Sequence, residues 1–500
     1  MKRETKDTIH EETLDPEDWE SMRKLGHKMI DDMLDYMKSL RERPVWQHAT
    51  DKVKAHFKKP VPRGPQKPEE IYKEFVENVL PYPLGNLHPR FWGWVVGPGT
   101  VLGALAELLA ASMNTMSAGG YHHSAVHVEK QVIDWIKEML EFPASASGVL
   151  TSGCSAANII GLTVARNTKT GYDFRQKGFQ DCSRKMMLYA SREVHSSIQK
   201  AVELLGLGSE ALHSVPVNDF FQVDLRALKM AISKDRENGH MPFCVVGAAG
   251  TTNTGGIDDL DALADICQQE NLWFHVDGAF GAWAALAPGV RNKVSGMERA
   301  DSLALDLHKW MYIPYEIGCI LVRNEEYHRG AFSLTPDYLA HGEGDRGITG
   351  GDSPWFDDYD YLHSRGFRAL KAWMCLKEHG SRKYGRLIQQ NIDQAHYLGE
   401  LINSEPELEL LAPVTLNVVC FRYVAPDMND AALDEINKQI VIELQEQGIA
   451  VLSGTIVKGK YALRAANVNH RSRREDFEIL VREVTRTGKD LAVSLKNTGS

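Results

Sequence analysis

Four apolar runs of strand length constrain the fold of this chain more than any other feature. In order they are FCVVGAAG (243–250), LWFHVDGAF (272–280), SLALDLHKW (302–310) and GCILVR (318–323). The segment between the first two runs, DDLDALADICQQEN, has the apolar spacing of a helix. Runs that are apolar on both faces and are joined by helices predict a mainly parallel sheet inside an α/β domain.

Three of these runs end in a polar or glycine-rich cluster, namely GTTNTGG, DGAFG and DLHK. In open α/β sheets, ligands bind beyond the carboxyl ends of the parallel strands. We therefore predict a ligand site where these three clusters meet.

Changes in composition and in hydrophobic periodicity divide the chain into three parts. Residues 1–85 carry two amphipathic helices around a Pro/Lys/Arg segment and are too small to hold a core alone, so we expect a helical arm that packs on a partner subunit. Residues 86–375 are predicted to form the large domain, and residues 376–500 a smaller α+β domain. Segment 330–361 lacks periodicity and holds six glycines, which predicts a lid.

Charge and cysteine content argue against several classes of protein. The net charge is −10 and the pI is near 6.0, so nucleic acid and anionic membrane are poor partners. The seven cysteines are isolated and form no CxxC pair or Cys/His cluster, so we expect no metal site. No apolar stretch reaches 18 residues, and the polar N-terminus is unlike a signal peptide. We expect a cytoplasmic protein.

Lys309 and Asp277 are the leading candidates for chemistry. A lysine at the end of a buried strand can extend to solvent, but desolvation can also lower its pKa and make it a Schiff-base nucleophile. Asp277 follows another strand and could simply form a turn, or it could pair with the pyridine nitrogen of pyridoxal phosphate. A metal would require further carboxylates or histidines nearby, and the sequence offers none.

Other segments fit such a cofactor. The small residues Ser152, Gly153, Cys154 and Ser155 directly precede an apolar helix, whose N-terminal amides could bind a phosphate. His195 follows a short apolar strand and could stack on a flat ring, and Thr252 could hydrogen-bond the ring substituents. Each of these residues alone has an ordinary structural explanation.

Taken in order, these residues resemble the group II pyridoxal phosphate-dependent decarboxylases, the aromatic-L-amino-acid decarboxylase family. The resemblance extends from about His88 to His470. The pieces that carry it are LHPRFWGW (87–94), SGCSAAN (152–158), VHSSIQKA (194–201), GTTNTGGIDDL (250–260), WFHVDGAFGA (273–282), ADSLALDLHKW (300–310), SRGFRALKAW (364–373) and LRAANVNHR (463–471).

The resemblance implies a type I, aspartate aminotransferase-like fold with a mostly parallel seven-stranded sheet. It also implies a homodimer with shared active sites and a swapped N-terminal arm. Lys309 would hold the cofactor, Asp277 would pair with its ring nitrogen, and Thr252 would lie near its reactive edge. His195 would stack on one ring face, with a possible role in proton transfer, and Ala279 would touch the other. The implied phosphate contacts are Cys154, Ser155, Asp306 and His308.

The activity implied is decarboxylation of an L-amino acid, with an aromatic one favoured. Trp92 and Trp94 stand where the family places aromatics of the substrate pocket, although both could be core residues. His122 could instead favour an acidic substrate such as glutamate, aspartate or cysteine sulfinate. Asp306 departs from the small residue of many relatives and would repel a phosphate unless it faced a donor such as the His308 imidazole.

The lid leaves a second reaction open. In the family a loop tyrosine returns a proton to the substrate carbon, and its loss diverts the chemistry to oxidative aldehyde formation. Candidates here are Tyr338, Tyr359 and Tyr361, of which Tyr359 is the one expected to contact substrate.

Two further interpretations of the sequence compete with the decarboxylase hypothesis. One is a cofactor-binding protein without turnover, which the intact Lys309, Asp277 and His195 disfavour. The other is an aminotransferase, which the HKW context and the SRGFRALK segment disfavour.

Overall fold

The computed structural model describes residues 12–118, 122–179, 182, 184–334, 348 and 354–498. The chain divides into two compact units. The first comprises Met1–Arg43 and Gln47–Leu84, and the second comprises Pro44–Trp46 and Gly85–Ser500. Most of the predicted lid, including Tyr338, lies outside the described residues.

The first unit is helical, as predicted. Asp18 caps its first helix by accepting hydrogen bonds from the amides of Glu20 and Ser21. The hydroxyl of Tyr72 donates to Asp32 at 2.8 Å and ties the third helix to the first. The helices are α1 (Trp19–Lys38), α2 (Asp51–His56) and α3 (Pro68–Asn78).

A seven-stranded sheet forms the centre of the second unit. Its strand order is β1-β7-β6-β5-β4-β2-β3, and only β7 runs antiparallel to its neighbours. The β6–β7 connection contains no helix, so the chain reverses there instead of crossing over. The mostly parallel sheet predicted from the sequence is confirmed. The strands are β1 (Ser147–Thr151), β2 (Met186–Ser191), β3 (Leu212–Val215), β4 (Met241–Ala248), β5 (Trp273–Asp277), β6 (Ser302–Asp306) and β7 (Gly318–Val322).

Helices accompany this sheet, and several of them connect successive strands. Every residue of β1, β2, β5, β6 and β7 is buried, which explains why these runs are apolar on both faces. The helices are α4 (Val101–Met113), α5 (Ser124–Met139), α6 (Cys154–Lys169), α7 (Phe174–Lys177), α8 (Ser196–Leu204), α9 (Leu225–Glu237), α10 (Leu260–Gln269) and α11 (Glu325–Phe332).

The second unit also contains a four-stranded antiparallel sheet of order β10-β11-β9-β8, which has helices of its own. Two helical segments meet at Gly380, whose φ of 69° and ψ of 150° lie outside the helical range, and the pair is labelled α12. The elements are α12 (Ala369–Ser404), β8 (Leu408–Leu410), β9 (Val418–Tyr423), α13 (Asp430–Glu446), β10 (Ser453–Val457), β11 (Lys460–Ala466) and α14 (Arg474–Thr498).

The seven cysteines are all free thiols. Among the described residues, no helix combines the length and the apolar character needed to cross a bilayer. Within the same residues, no group of three or more His, Cys, Asp or Glu side chains is arranged to hold a metal ion.

Candidate active site

The ends of β5 and β6 and the start of α6 enclose a cavity of about 260 Å³, which we call the inner cavity. The parallel strands of the sheet end at this edge, and two of the three predicted clusters, DGAFG after β5 and DLHK after β6, contribute to this cavity. The residues that line it are Ser152, Gly153, Cys154, Ser155, Ala156, His195, Ser197, Asp277, Ala279, Asp306, His308 and Lys309.

Lys309 pairs with the last residue of β6. Its Nζ lies 2.9 Å from an Asp306 oxygen, and the other Asp306 oxygen accepts a hydrogen bond from the Cys154 amide at 2.6 Å. Burial lowers the pKa of Lys309, but the charge and the hydrogen bond of Asp306, together with smaller contributions from neighbours such as Asp277, outweigh this effect and the pKa is raised. Desolvation thus acts in the expected direction, but the net shift is upward because the carboxylate stabilises the ammonium.

Asp306 does not depend on the His308 imidazole. The His308 Nε2 lies 3.7 Å from Asp306, beyond hydrogen-bond distance, while Nδ1 accepts a hydrogen bond from the Ile317 amide. The donors that compensate the Asp306 charge are the Lys309 ammonium and the Cys154 amide. Burial lowers the pKa of His308, which favours a neutral ring.

Asp277 is held by three donors. One oxygen accepts from the Ala279 amide at 3.2 Å and from the Cys154 thiol at 3.4 Å. The other accepts from the side-chain amide of Asn158 at 3.2 Å. These contacts orient a carboxylate that lines the inner cavity, as pairing with a protonated ring nitrogen requires.

His195 caps the N-terminus of α8. Its Nδ1 accepts a hydrogen bond from the Ser197 amide at 3.2 Å, and the Ser197 hydroxyl lies 2.8 Å from the same nitrogen. Partial burial lowers the pKa of His195, and the charge of Asp277 opposes that shift. His195 and Ala279 both line the inner cavity, where a flat ring could contact them.

The start of α6 fits a phosphate. Cys154 and Ser155 begin the helix, and Ser155 is exposed to the inner cavity. A Cβ atom on Gly153 would lie 3.3 Å from the His308 ring, so the absence of a side chain there keeps the cradle open. The Tyr315 ring packs against the His308 ring, with the two ring centroids 4.2 Å apart.

A second cavity of about 260 Å³, which we call the outer cavity, shares four lining residues with the first: His195, Asp277, Ala279 and Lys309. Thr252 and Trp94 line only the outer cavity. Its full lining is Trp94, Val95, Glu193, Val194, His195, Ala248, Gly250, Thr251, Thr252, Asn253, Asp277, Ala279, Phe280, Lys309, Ser453, Gly454, Thr455 and Arg464.

Arg464, which the sequence reasoning missed, brings a buried cation to the outer cavity. Its guanidinium donates to the carbonyls of Asn253, Trp94 and Thr252 and to the Ser453 hydroxyl. No carboxylate in the described part of the chain forms an ion pair with it, and burial lowers its pKa. An arginine inside the apolar run YALRAA is the sequence signal that would have pointed to it.

The structure corrects the Trp92 prediction. Trp92 is fully buried, stacks on Phe477 with ring centroids 4.7 Å apart, and donates through Nε1 to Ser472 at 3.1 Å. It belongs to the core around the second sheet and lines neither cavity. An aromatic residue suits a core and a substrate pocket equally, so the sequence could not separate the two.

Tyr359 and His122 also line neither cavity. The Tyr359 hydroxyl donates to Glu325, and its ring packs on His328 with centroids 4.9 Å apart. The His122 amide donates to the carbonyl of Ile348 at 2.7 Å. Within the described residues, no tyrosine lines either cavity.

Comparison with known proteins identifies the family. A sequence profile described as the pyridoxal-dependent decarboxylase conserved domain matches residues 51–424. The chain belongs to the pyridoxal-dependent decarboxylase family. Aromatic-L-amino-acid decarboxylase of Bacillus atrophaeus is 32% identical over 478 residues, which are 95% of this chain and 97% of that protein.

Two further relatives bear on the fold and the reaction. Phenylacetaldehyde synthase of Arabidopsis thaliana is 27% identical over 464 residues, covering 91% of this chain and 93% of that protein. The crystal structure of Oryza sativa TDC with PLP and tryptamine superposes with a TM-score of 0.87 at 24% identity, covering 96% of this chain and 100% of that one.

The family resemblance inferred from the sequence, the type I fold and the pyridoxal phosphate cofactor are confirmed. This decarboxylase is a pyridoxal phosphate-dependent carboxy-lyase. The inner cavity fits the cofactor because it combines an amine, an oriented carboxylate and the first turn of a helix. The roles of individual site residues stay predictions.

Proposed function

We propose that this decarboxylase converts an aromatic L-amino acid to its amine and carbon dioxide. The observation that carries the proposal is the outer cavity, which brings aromatic walls, Trp94 and Phe280, together with Lys309 and the buried cation Arg464. An aromatic side chain suits such walls through stacking, and a carboxylate suits the unpaired guanidinium. The Bacillus relative, named for aromatic L-amino acids, supports the same substrate class.

Each shared residue has a role in this proposal. Pyridoxal phosphate supplies an aldehyde that condenses with amines and a ring that takes up electrons from the breaking bond. Lys309 provides the amine that holds the cofactor, and Asp277 keeps a proton on the ring nitrogen. His195 and Ala279, which line the same cavity, would contact the ring, and the first turn of α6 would bind the phosphate.

Lys309 requires a change of protonation before it can react as a nucleophile. Its ammonium is stabilised by Asp306 at 2.9 Å, so the free amine is disfavoured in this arrangement. A phosphate near the Cys154 amide would compete with Asp306 for that donor and would add negative charge. We infer that Asp306 and the phosphate share the donors at the start of α6, with the Asp306 carboxylate staying on the Lys309 nitrogen.

Arg464 determines how the substrate lies. A guanidinium has five N–H donors, and its contacts to Asn253, Trp94, Thr252 and Ser453 use four of them. The remaining donor is available to the substrate carboxylate. Holding that carboxylate fixes which bond of the α-carbon is broken, which is the part of the reaction that the protein controls.

A product assay tests the proposal. The enzyme is supplied with pyridoxal phosphate and given aromatic and acidic L-amino acids separately, and amine, aldehyde, peroxide and carbon dioxide are measured. Amine from an aromatic substrate, absent in Lys309→Ala, is the expected result. Amine from glutamate, aspartate or cysteine sulfinate alone would refute the aromatic assignment.

The second candidate function is an aldehyde synthase. Two observations favour it: the Arabidopsis relative is a phenylacetaldehyde synthase, and Tyr359 bonds to Glu325 outside both cavities. Aldehyde and peroxide in place of amine would establish this reaction. If Tyr359 is the residue that returns the proton, Tyr359→Phe should convert amine production to aldehyde production, and Tyr361→Phe serves as the matched control.

We further propose a cytoplasmic homodimer in which residues 1–85 form the swapped arm and residues 86–375 and 376–500 form the two domains. Helix α4 supports the dimer, because Val101, Leu108, Leu109 and Met113 on it are 43–52% exposed. Seven free thiols suit a reducing compartment. Sedimentation of the purified protein with and without Leu109→Asp tests the dimer.

A further inference from the structure

A buried chain of hydrogen bonds runs behind the inner cavity. The indole N–H of Trp273 donates to the Ser302 hydroxyl at 2.7 Å, and that hydroxyl lies 2.8 Å from Nδ1 of His275. His275 Nε2 lies 2.9 Å from the side-chain oxygen of Asn158. The Asn158 amide then donates to the Ser197 hydroxyl at 3.0 Å.

The chain ends on His195, whose Nδ1 lies 2.8 Å from the Ser197 hydroxyl. Asn158, His275 and Ser302 are completely buried, and Ser197 and Trp273 are nearly so. No water competes for hydrogen bonds inside such a core, so every donor must face an acceptor.

Two groups fix the direction of this chain. An indole nitrogen can only donate, and an ionised carboxylate can only accept. Because Asp277 lies 3.2 Å from the Asn158 amide, the NH₂ group of Asn158 must face Asp277 and its oxygen must face His275. His275 therefore carries its proton on Nε2, and its Nδ1 accepts from Ser302.

Burial agrees with this assignment, since it lowers the pKa of His275 to about 4 and keeps the ring neutral. At the other end of the chain, the Asn158 NH₂ group donates to the Ser197 hydroxyl oxygen, and the hydroxyl proton faces His195 Nδ1 because that nitrogen already accepts from a backbone amide. The Ser197 backbone amide donates to the same nitrogen at 3.2 Å. Two donors thus converge on Nδ1.

We propose that Asn158 is a positioning residue that holds His195 as the tautomer with its proton on Nε2. One amide group thereby orients both the Asp277 carboxylate and the His195 ring. Since Nδ1 is engaged with Ser197, Nε2 is the ring nitrogen left for a ligand in the cavities that His195 lines, and it would act there as a donor. In its neutral form His195 can donate a hydrogen bond to a substrate oxygen but cannot accept a proton at Nε2.

The tautomer itself does not depend on the reaction proposed above; only its consequence for the substrate does. The charged groups that act on His195 are Asp277 and Asp306, which favour protonation, and Lys309 and Lys200, which oppose it. All four remain in the variants used below.

The test is nuclear magnetic resonance of the holoenzyme labelled with ¹⁵N-histidine, because protonated and unprotonated ring nitrogens have well separated chemical shifts. A spectrum of His195→Gln assigns the His195 signals. In the wild type we expect a protonated Nε2 and an unprotonated Nδ1, and the same pattern for His275. A His195 proton on Nδ1 would overturn the proposal without any variant.

Two variants separate positioning from mere support of the fold. In Asn158→Leu the Ser197 hydroxyl is free to turn and accept a proton from Nδ1, so the pKa of His195 should rise by about one unit. In Ser197→Ala no acceptor replaces the hydroxyl and the backbone amide stays, so the pKa should remain low. A general loosening of the site would shift both variants in the same direction and would refute the proposal, as would an unchanged His195 in Asn158→Leu.

Ser147→Ala is the matched control. Ser147 is a buried serine of β1 whose hydroxyl lies 2.9 Å from Nδ1 of another buried histidine, His328. Removing it costs the same kind of hydrogen bond but touches neither cavity. The His195 signals of Ser147→Ala should therefore match those of the wild type.

Discussion

Removing the charge of Arg464 should weaken the binding of ligands that carry a carboxylate and spare those that lack one. Arg464 has one N–H donor left for a ligand after its four contacts within the protein. A hydrogen bond to a charged group is worth about 1.5–3 kcal/mol, which corresponds to a factor of about 10 to 150. Arg464→Met should lower kcat/KM for the amino acid by that factor.

The assay compares substrate with product, because the amine product differs from the amino acid only by the lost carboxylate. Inhibition by the amine should change by less than about threefold in Arg464→Met, since the lost contact does not involve it. Arg422→Met is the matched control: Arg422 is also buried in the second sheet but pairs with Glu409 and Asp430 outside both cavities. Equal losses for amine and amino acid would show that Arg464 supports the backbone and does not bind substrate.

Three further predictions concern side chains with titratable groups inside the protein. Lys309→Ala should abolish turnover and the absorbance band of covalently held cofactor; a retained band would disprove its role. Glu129→Gln should lower the free energy of unfolding by about 3–5 kcal/mol, because buried Arg365 loses its closest carboxylate, whereas Lys130→Gln on the same helix should cost less than about 1 kcal/mol in a urea titration. His275 is neutral when folded, with a pKa of about 4, but protonates in the unfolded chain below its usual 6.5. Stability should therefore fall by about 2 kcal/mol between about pH 8 and pH 5 from this group, and His275→Gln should show a shallower decline.

The sequence predicts the central sheet well and the second sheet poorly. Strands such as β5 and β6 are apolar on both faces because helices cover both sides, and that pattern is distinctive. By contrast β8 has three residues and β10 alternates between buried and exposed positions, so neither differs from a loop with apolar residues. Gly380 divides α12 into two helical segments, and the glycine is the signal in the sequence for that break.

The residues of the candidate site also differ in how well the sequence predicts them. Asp277 ends β5, and Lys309 and His195 lie within four residues of the ends of β6 and β2, so the position of each in the sequence already predicts that they meet. Arg464 reaches the outer cavity from β11 of the other sheet. No local pattern relates that strand to the cavity, and only the packing of the two sheets places it there.

Asn158 shows why a residue that orients other side chains is not recognised from the sequence alone. It lies one turn after Cys154 on α6, on a helix face that reads as ordinary core. Its importance arises from two partners on other elements: the Asp277 carboxylate at the end of β5 and the Ser197 hydroxyl at the start of α8. A side chain that binds cofactor must face a cavity and carry a reactive or charged group, so its residue type can be recognised in the sequence. A side chain that only fixes a proton on a neighbouring ring can be fully buried and neutral, so it becomes visible when donors and acceptors are counted in three dimensions.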